Sequence, residues 1–151
     1  MKWNIKLLLL FILSFQLQSI FTVKGLNIGL HFDHSAVSMH CSRRCESEHC
    51  LLPPFLRYGK YCGVLYTGCP GEEPCDGLDE CCKVHDACIQ DNQNDYLNKE
   101  CNENLLNCIS EFRDSGAKTF QGNKCKPEEV VDEISLIIQV ALLAGRATDN
   151  P

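Results

Sequence analysis

A histidine and an aspartate stand side by side in a short stretch that is dense in cysteine. The sequence ECCKVHDACI, residues 80–89, places His85 and Asp86 between Cys82 and Cys88. An imidazole titrates near pH ~6.5 and often serves as a general base. A carboxylate suits a hard cation such as calcium, which takes about 6–8 oxygen ligands. The pair therefore indicates proton transfer close to a bound metal ion.

These two side chains need a rigid element, because a misplacement of about 1 Å can cost about 100-fold in rate. The segment predicts a helix that is capped by Asp76 or Asp79 and runs to residue 89 or 90. Asp86 lies about 100° around such a helix from His85. It therefore cannot orient this imidazole as a triad carboxylate would, and it points to a different partner at the same rim.

A long segment rich in glycine and proline precedes this helix. Residues 53–77 contain five glycines and four prolines, and their three cysteines argue against disorder. Within them, YCGVLYTG can supply main-chain carbonyls to a cation, since Gly63 and Gly68 permit backbone geometries that a side chain would forbid. The later run DNQND is not an EF-hand loop, because Tyr96 stands where that loop requires glycine. The sequence thus predicts an ordered loop beside the helix.

Two further helices are predicted after the histidine. Residues 96–112 carry an apolar stripe at helical spacing. A third helix opens at Pro127 and ends near residue 145 or 146. Its centre, ISLIIQVALLA, is apolar on most faces, so it either packs into the core or turns part of its surface to lipid. The N-terminal region shows no strand pattern, and the spacing of Cys41 and Cys45 favours a short helix there.

The first 25 residues have the features of a secretory signal peptide. Lys2 and Lys6 flank the start of the apolar run LLLLFILSF, which is shorter than the ~20 residues that a membrane span needs. We place the cleavage after Gly25, so that residues 1–25 form the signal peptide and residues 26–151 form one mature domain. A signal anchor that stays attached is the alternative.

All twelve cysteines lie in the predicted mature chain. A dense, even set behind a signal peptide predicts six disulfides in a secreted, extracellular protein. Zinc would need reduced thiolates, which that compartment disfavours. Removal of Lys2, Lys6 and Lys24 with the signal peptide changes the net charge from −6 to −9. This acidity makes nucleic acid a poor partner, and no transmembrane segment is expected in the mature chain.

The motifs YGKYCG and CCKVHDAC resemble those of the secretory phospholipase A2 family, and the longer pattern PPFLRYGKYCG…GCPGEEPCDGLDECCKVHDACI is most similar to its plant members. The resemblance is strong over residues 53–108 and looser over the remaining mature chain. It implies a mainly α, small, disulfide-rich fold with about three main helices and a long calcium-binding loop. It also implies calcium-dependent hydrolysis of the sn-2 ester of glycerophospholipids in membranes or micelles, which releases a free fatty acid and a lysophospholipid.

The same resemblance implies roles for individual residues. His85 matches the general base that draws a proton from the attacking water, and Asp86 matches the calcium-binding carboxylate. Asn102 stands where animal members have an aspartate that orients the imidazole. Its amide oxygen can still accept an imidazole N–H, but it brings no negative charge.

The calcium loop and the disulfides also follow from this resemblance. Main-chain carbonyls would complete the calcium ligands, from Tyr61, Gly63 and either Leu65 or Tyr66, and the N–H of Gly63 would help to hold the oxyanion. The implied disulfides are Cys62–Cys82, Cys81–Cys108, Cys88–Cys101, Cys41–Cys69, Cys45–Cys75 and Cys50–Cys125.

Two other classes of protein are alternatives to the enzyme. One is a catalytically inactive binding protein on the same scaffold, and the other is a calcium-binding structural domain. The presence of both His85 and Asp86 favours the enzyme. Six apolar residues near the proposed site either form a membrane-docking rim or pack inward: Leu51, Leu52, Phe55, Leu56, Leu65 and Tyr66. An Asp or Lys at Leu65 or Tyr66 is expected to weaken vesicle binding more than folding.

Overall fold

The computed structural model describes residues 40–148 of the chain. These residues contain three α-helices and four short strands. In chain order they are β1 (His40–Ser42), β2 (Glu46–Glu48), β3 (Arg57–Gly59), β4 (Tyr66–Gly68), α1 (Gly77–Asp91), α2 (Lys99–Ser115) and α3 (Pro127–Thr148), with a 3-10 turn at Pro53–Phe55. The expected mainly α fold with three main helices is confirmed. The signal peptide and its cleavage after Gly25 lie outside the described residues.

The capping residue of α1 is Asp76, and Asp79 has a different role. The carboxylate of Asp76 accepts hydrogen bonds from the backbone N–H groups of Leu78 and Asp79, at 3.1 and 3.0 Å. These are donors that the first turn of a helix would otherwise leave without a partner. The helix that carries the His-Asp pair therefore begins at a defined point in the sequence.

The other two helices also begin at residues suited to a helix N-terminus. Asn98 caps α2 by accepting the N–H of Cys101 at 3.0 Å, so this helix starts at Lys99 and not near residue 96. It ends at Gly116, which adopts the left-handed conformation with φ of 61°. Pro127 is the first residue of α3, as expected.

The prediction of a short helix without strands near Cys41 and Cys45 is wrong. β1 pairs in parallel with β4, and β2 pairs antiparallel with β3. Each strand is three residues long, too short to show the alternation of apolar and polar residues that marks a strand in a sequence. The two cysteines tie this segment to the loop, through Cys41–Cys69 and Cys45–Cys75.

Six disulfides brace the structure, and their pairing is the one expected. They are Cys41–Cys69, Cys45–Cys75, Cys50–Cys125, Cys62–Cys82, Cys81–Cys108 and Cys88–Cys101. All twelve cysteines lie in the described residues, and none of them is a free thiol. Of the two adjacent cysteines on α1, Cys82 is bonded to Cys62 in the loop and Cys81 is bonded to Cys108 on α2.

The core lies between the three helices and the loop. Its fully buried members include Leu78, Ile109, Val130 and Tyr58. The helix α3 is apolar on two sides: one packs on this core, and the other exposes Leu136, Val140 and Leu143, which we call the outer stripe. Among the described residues, no helix is long and apolar enough to cross a membrane.

Candidate active site

The catalytic candidate His85 is held by Asn102 across the α1–α2 interface. The Nε2 atom of His85 lies 2.9 Å from Oδ1 of Asn102. The same amide donates from Nδ2 to the main-chain oxygen of Tyr96 at 3.1 Å. Because Nδ2 is committed to a carbonyl, Oδ1 is the atom that faces the imidazole, and it can only accept. The hydrogen therefore sits on Nε2 of His85, and Nδ1 keeps a free lone pair.

The surroundings of His85 favour the neutral imidazole. Burial lowers the pKa of His85, and the hydrogen bond to Asn102 only partly opposes this. Asn102 is completely buried and uncharged, so it orients the ring without adding the negative charge that would stabilise imidazolium. The expected contact between the amide oxygen and the imidazole is confirmed. A neutral ring with a free Nδ1 has the form that a general base requires.

Asp86 is a half-buried carboxylate that directly follows His85 on α1. Its Oδ2 accepts a hydrogen bond from the Thr67 hydroxyl in β4 at 2.8 Å. Burial raises the pKa of Asp86 to about 7, although the Thr67 hydroxyl lowers it. No lysine, arginine or histidine of the described residues forms an ion pair with it. A carboxylate that is held in place by a hydroxyl and lacks a basic partner suits a cation.

Asp79 connects the glycine-rich loop to α1, a role that the sequence did not show. It is fully buried, and its carboxylate accepts the backbone N–H of Lys60 with both oxygens, at 3.0 and 2.9 Å. The N–H groups of Tyr61 and Cys75 donate to it at 2.8 and 2.9 Å. Burial raises the pKa of Asp79, while these three N–H groups act in the opposite direction.

An Asp79→Ala variant is expected to lose about 3 kcal/mol of unfolding free energy, because three backbone N–H groups, that of Tyr61 buried, would lose their acceptor. Guanidinium unfolding with the disulfides intact measures this. Glu80→Ala, an exposed carboxylate one residue further along α1, serves as the control and should change stability by less than about 0.5 kcal/mol. Equal stability of the two variants would contradict the role given to Asp79.

Gly63 lies where only glycine fits. A Cβ atom added there would stand 2.5 Å from the main-chain oxygen of Leu56 and 2.9 Å from Nη1 of Arg57. Since the nearest obstacle is backbone, a side chain would displace the loop. Leu65, two residues further on, adopts the left-handed conformation with φ of 53°, which is uncommon for a leucine and turns the chain sharply. The loop therefore adopts a defined backbone conformation, with local strain at Leu65.

Two tyrosine side chains brace the loop from inside. The Tyr61 hydroxyl donates to the main-chain oxygen of Glu72 at 2.6 Å, and the Tyr66 hydroxyl donates to that of Gly59 at 2.9 Å. Tyr66 is only 2% exposed. The expectation that a charge at Tyr66 would affect vesicle binding more than folding is therefore wrong, because this ring belongs to the core. For the half-buried Leu65 that expectation stays a prediction.

Sequence comparison finds known plant proteins that match most of the chain. Phospholipase A2-alpha of Arabidopsis thaliana is 52% identical over 140 residues, which are 91% of this chain and 95% of that protein. Phospholipase A2 homolog 3 of Oryza sativa subsp. japonica is 57% identical over 129 residues, which are 84% of this chain and 78% of that protein. No protein-family model matches the chain.

Solved structures of rice phospholipase A2 share the fold. The orthorhombic crystal form is 53% identical with a TM-score of 0.68, and the match covers 72% of this chain and 97% of that one. The complex with octanoic acid is 51% identical with a TM-score of 0.69, and the match covers 76% of this chain and 97% of that one. The resemblance seen in the sequence is confirmed, and the chain belongs to the plant phospholipase A2 family.

Proposed function

We propose that the protein hydrolyses the sn-2 ester of glycerophospholipids in a calcium-dependent reaction and releases a free fatty acid and a lysophospholipid. The observation that carries the proposal is His85, a half-buried imidazole whose surroundings favour the neutral form and which Asn102 fixes next to a carboxylate with no basic partner. The names of its relatives support ester hydrolysis of phospholipids. Rice phospholipase A2 has been solved with octanoic acid, which is itself a fatty acid.

In this proposal His85 acts on water and not on a nucleophilic side chain. Its free Nδ1 takes the proton from a water molecule as that water attacks the ester carbonyl, while Asn102 keeps the ring in place. A cysteine nucleophile is excluded, since all twelve thiols are in disulfides. The N–H of Gly63 would donate to the oxyanion that develops on the carbonyl oxygen.

The residues present fit a calcium site. The carboxylate of Asp86 would bind the ion together with main-chain oxygens of Tyr61, Gly63 and either Leu65 or Tyr66. These are hard oxygen donors, which calcium prefers, and no cluster of three or more acidic, histidine or cysteine side chains competes for a metal within residues 40–148. Bound calcium would polarise the ester carbonyl and stabilise the oxyanion.

Thr67 is expected to set calcium affinity, since its hydroxyl holds the Asp86 carboxylate in one orientation. A Thr67→Val variant keeps the β-branched shape that suits β4 and removes the donor. Loss of such an outer hydrogen bond typically weakens metal binding about tenfold or more, so we expect a tenfold higher dissociation constant by calorimetry. Thr67→Ser, which keeps the hydroxyl, should bind close to normally. An unchanged calcium dissociation constant in Thr67→Val would show that Thr67 does not set calcium affinity.

The experiment that tests the function uses phospholipid vesicles labelled in one acyl chain. Label at the sn-2 position should be released by the oxidised mature protein in millimolar calcium, and label at the sn-1 position should stay in the lipid. A folded, calcium-binding protein that releases neither label would instead point to an inactive binding protein on the same scaffold.

We also propose that residues 1–25 direct the protein to the secretory route and that it acts outside the cell. Six disulfides support an oxidising compartment. Mass spectrometry of the secreted protein should find Leu26 at the N-terminus. A chain that retains the first 25 residues would instead indicate an anchor.

A further inference from the structure

The guanidinium of Arg57 lies against the glycine-rich loop and has no carboxylate partner. Arg57 is the first residue of β3, and its register partner on β2 is Glu48. Opposite charges at directly paired strand positions attract each other, yet none of the ion pairs within residues 40–148 includes Arg57. Its Nη1 atom instead lies 2.9 Å from the position that a Cβ atom would take on Gly63. A positive charge without an ion-pair partner thus lies beside the glycine of the proposed oxyanion site.

Contacts within the loop region hold this guanidinium in place. Its Nη1 donates to the main-chain oxygen of Leu56 at 2.7 Å. Its central carbon lies 4.9 Å from the centre of the Tyr66 ring, within the range of a cation–π interaction. Tyr66 is itself buried, and its hydroxyl donates to the main-chain oxygen of Gly59 at 2.9 Å. The Arg57 side chain is therefore ordered before a ligand arrives, so a contact with it costs little conformational entropy.

Part of the guanidinium remains available to a ligand. Within the described residues, the Leu56 oxygen is the one hydrogen-bond acceptor of the Arg57 side chain. Arg57 is half-buried, and no side-chain nitrogen of residues 40–148 is both shielded from solvent and without a partner, so Nε and Nη2 are open to solvent. A guanidinium presents its N–H groups as a planar fork that matches two oxygens of a phosphate. The open donors and the positive charge therefore suit a phosphate.

The substrate of the proposed reaction carries a phosphate close to its reacting ester. In a glycerophospholipid the phosphate is attached to the carbon next to the one that bears the sn-2 ester, so only a few bonds separate it from the ester carbonyl. With the carbonyl oxygen at the N–H of Gly63, the phosphate lies among the side chains around that glycine. The lysines nearby are already paired: Lys60 with Glu72 at 2.7 Å, and Lys83 with Glu73 at 3.3 Å.

We propose that Arg57 binds the headgroup phosphate of the phospholipid and thereby favours esters that carry a phosphate over esters that do not. This inference rests on the proposed function and names the side chain that recognises the headgroup. The chain as a whole has a net charge of −6, so its overall charge repels an anionic group. A local positive charge beside Gly63 supplies the attraction that the whole molecule does not.

The test uses two ether lipids with the same short alkyl chains, one with a phosphoglycerol headgroup and one with a hydroxyl in its place. Neither contains an ester, so neither is hydrolysed, and both are kept dispersed below the concentration at which they aggregate. Calorimetry in millimolar calcium gives their dissociation constants for the unaltered protein and for Arg57→Gln, Arg57→Lys and Arg113→Gln. The last is the matched control, because Arg113 on α2 loses the same charge but lies 3.5 Å from Asp114 and 3.7 Å from Asp132.

Arg57→Gln is expected to bind the phosphate lipid about tenfold more weakly, the scale of one hydrogen bond to a charged group. It should bind the phosphate-free lipid within about twofold of the unaltered protein. Arg57→Lys keeps the charge without the planar fork and should recover part of the affinity, while Arg113→Gln should bind both lipids normally. On a dispersed ester phospholipid, the loss in Arg57→Gln should appear mainly as a higher KM, because the contact forms before the reaction and persists through it.

Calcium affinity separates recognition of the phosphate from support of the loop. Removal of a positive charge beside the proposed calcium site should leave the calcium dissociation constant unchanged or lower it, because like charges repel. Weaker calcium binding in Arg57→Gln, with equal losses for both lipids, would show that Arg57 only supports the loop. Unchanged binding of the phosphate lipid would also overturn the assignment. Inorganic phosphate that binds as tightly as the lipid, in the absence of calcium, would assign Arg57 to a free anion instead.

Failure of the proposed function looks different from failure of this assignment. In that case the unaltered protein would release no fatty acid from the ester phospholipid. The two ether lipids would still show whether binding of the phosphate depends on Arg57, because their comparison requires no hydrolysis.

Discussion

A His85→Gln variant is expected to release fatty acid about 10²–10⁴ times more slowly than the unaltered protein, the range by which a positioned general base accelerates a reaction. Glutamine fills a similar space on α1, but its amide cannot take a proton from water. The variant should therefore fold normally and bind calcium normally. Initial rates on sn-2-labelled vesicles in saturating calcium measure the loss.

Two controls separate loss of the base from loss of the site. Calorimetry should give the same calcium dissociation constant for His85→Gln as for the unaltered protein, and guanidinium unfolding should give a similar midpoint. Activity within a factor of about three would rule out His85 as the base. Loss of calcium binding together with activity would instead show that the substitution had disturbed the loop.

An Asp86→Asn variant is expected to lose measurable calcium binding and to release fatty acid about 10²–10³ times more slowly, the scale reported for losing one stabilising group at an oxyanion. Asn is nearly isosteric with Asp, and its amide oxygen can still accept the Thr67 hydroxyl. The substitution thus removes the negative charge and little else. Its residual rate should equal that of the unaltered protein in a chelator.

Comparing the residual rate of Asp86→Asn with that of the unaltered protein in a chelator tests whether Asp86 acts through calcium. If the variant and the chelated protein share one residual rate, Asp86 and calcium act as a unit, and adding chelator to the variant should change nothing further. A variant that binds calcium with normal affinity would place the ion elsewhere. A variant that loses binding but keeps its rate would separate hydrolysis from the metal.

The sequence predicted the features that depend on local spacing. The start of α3 at Pro127 and a cap at Asp76 or Asp79 rest on single residue types at fixed positions, and the structure shows Pro127 as the first residue of α3 and Asp76 as the cap. The contact between Asn102 and His85, which the structure also shows, was expected from family resemblance. The disulfide pairing came from family resemblance, because twelve cysteines by themselves do not specify their partners. It agrees with the structure at every pair.

The sequence could not predict features that arise from contacts between residues far apart in the chain. Thr67 meets Asp86 only because β4 lies against α1, and the two residues are 19 positions apart. The apolar residues near the site illustrate the same limit, since Phe55 is exposed while Leu56, its neighbour, is buried. In a 3-10 turn and three-residue strands, hydrophobicity does not indicate which side chain faces inward, because no sustained period exists.

The neighbouring cysteines on α1 have a mechanical consequence for the residues that follow them. Cys82 is bonded to the loop at Cys62, and Cys81 is bonded to α2 at Cys108. Adjacent positions on a helix point about 100° apart, so the two bonds pull in different directions. A helix tied at one point can still roll about its own axis, but one tied in two directions cannot. The two disulfides thereby restrict the rotation of α1 about one turn before His85, and they help to fix the directions in which His85 and Asp86 leave the helix.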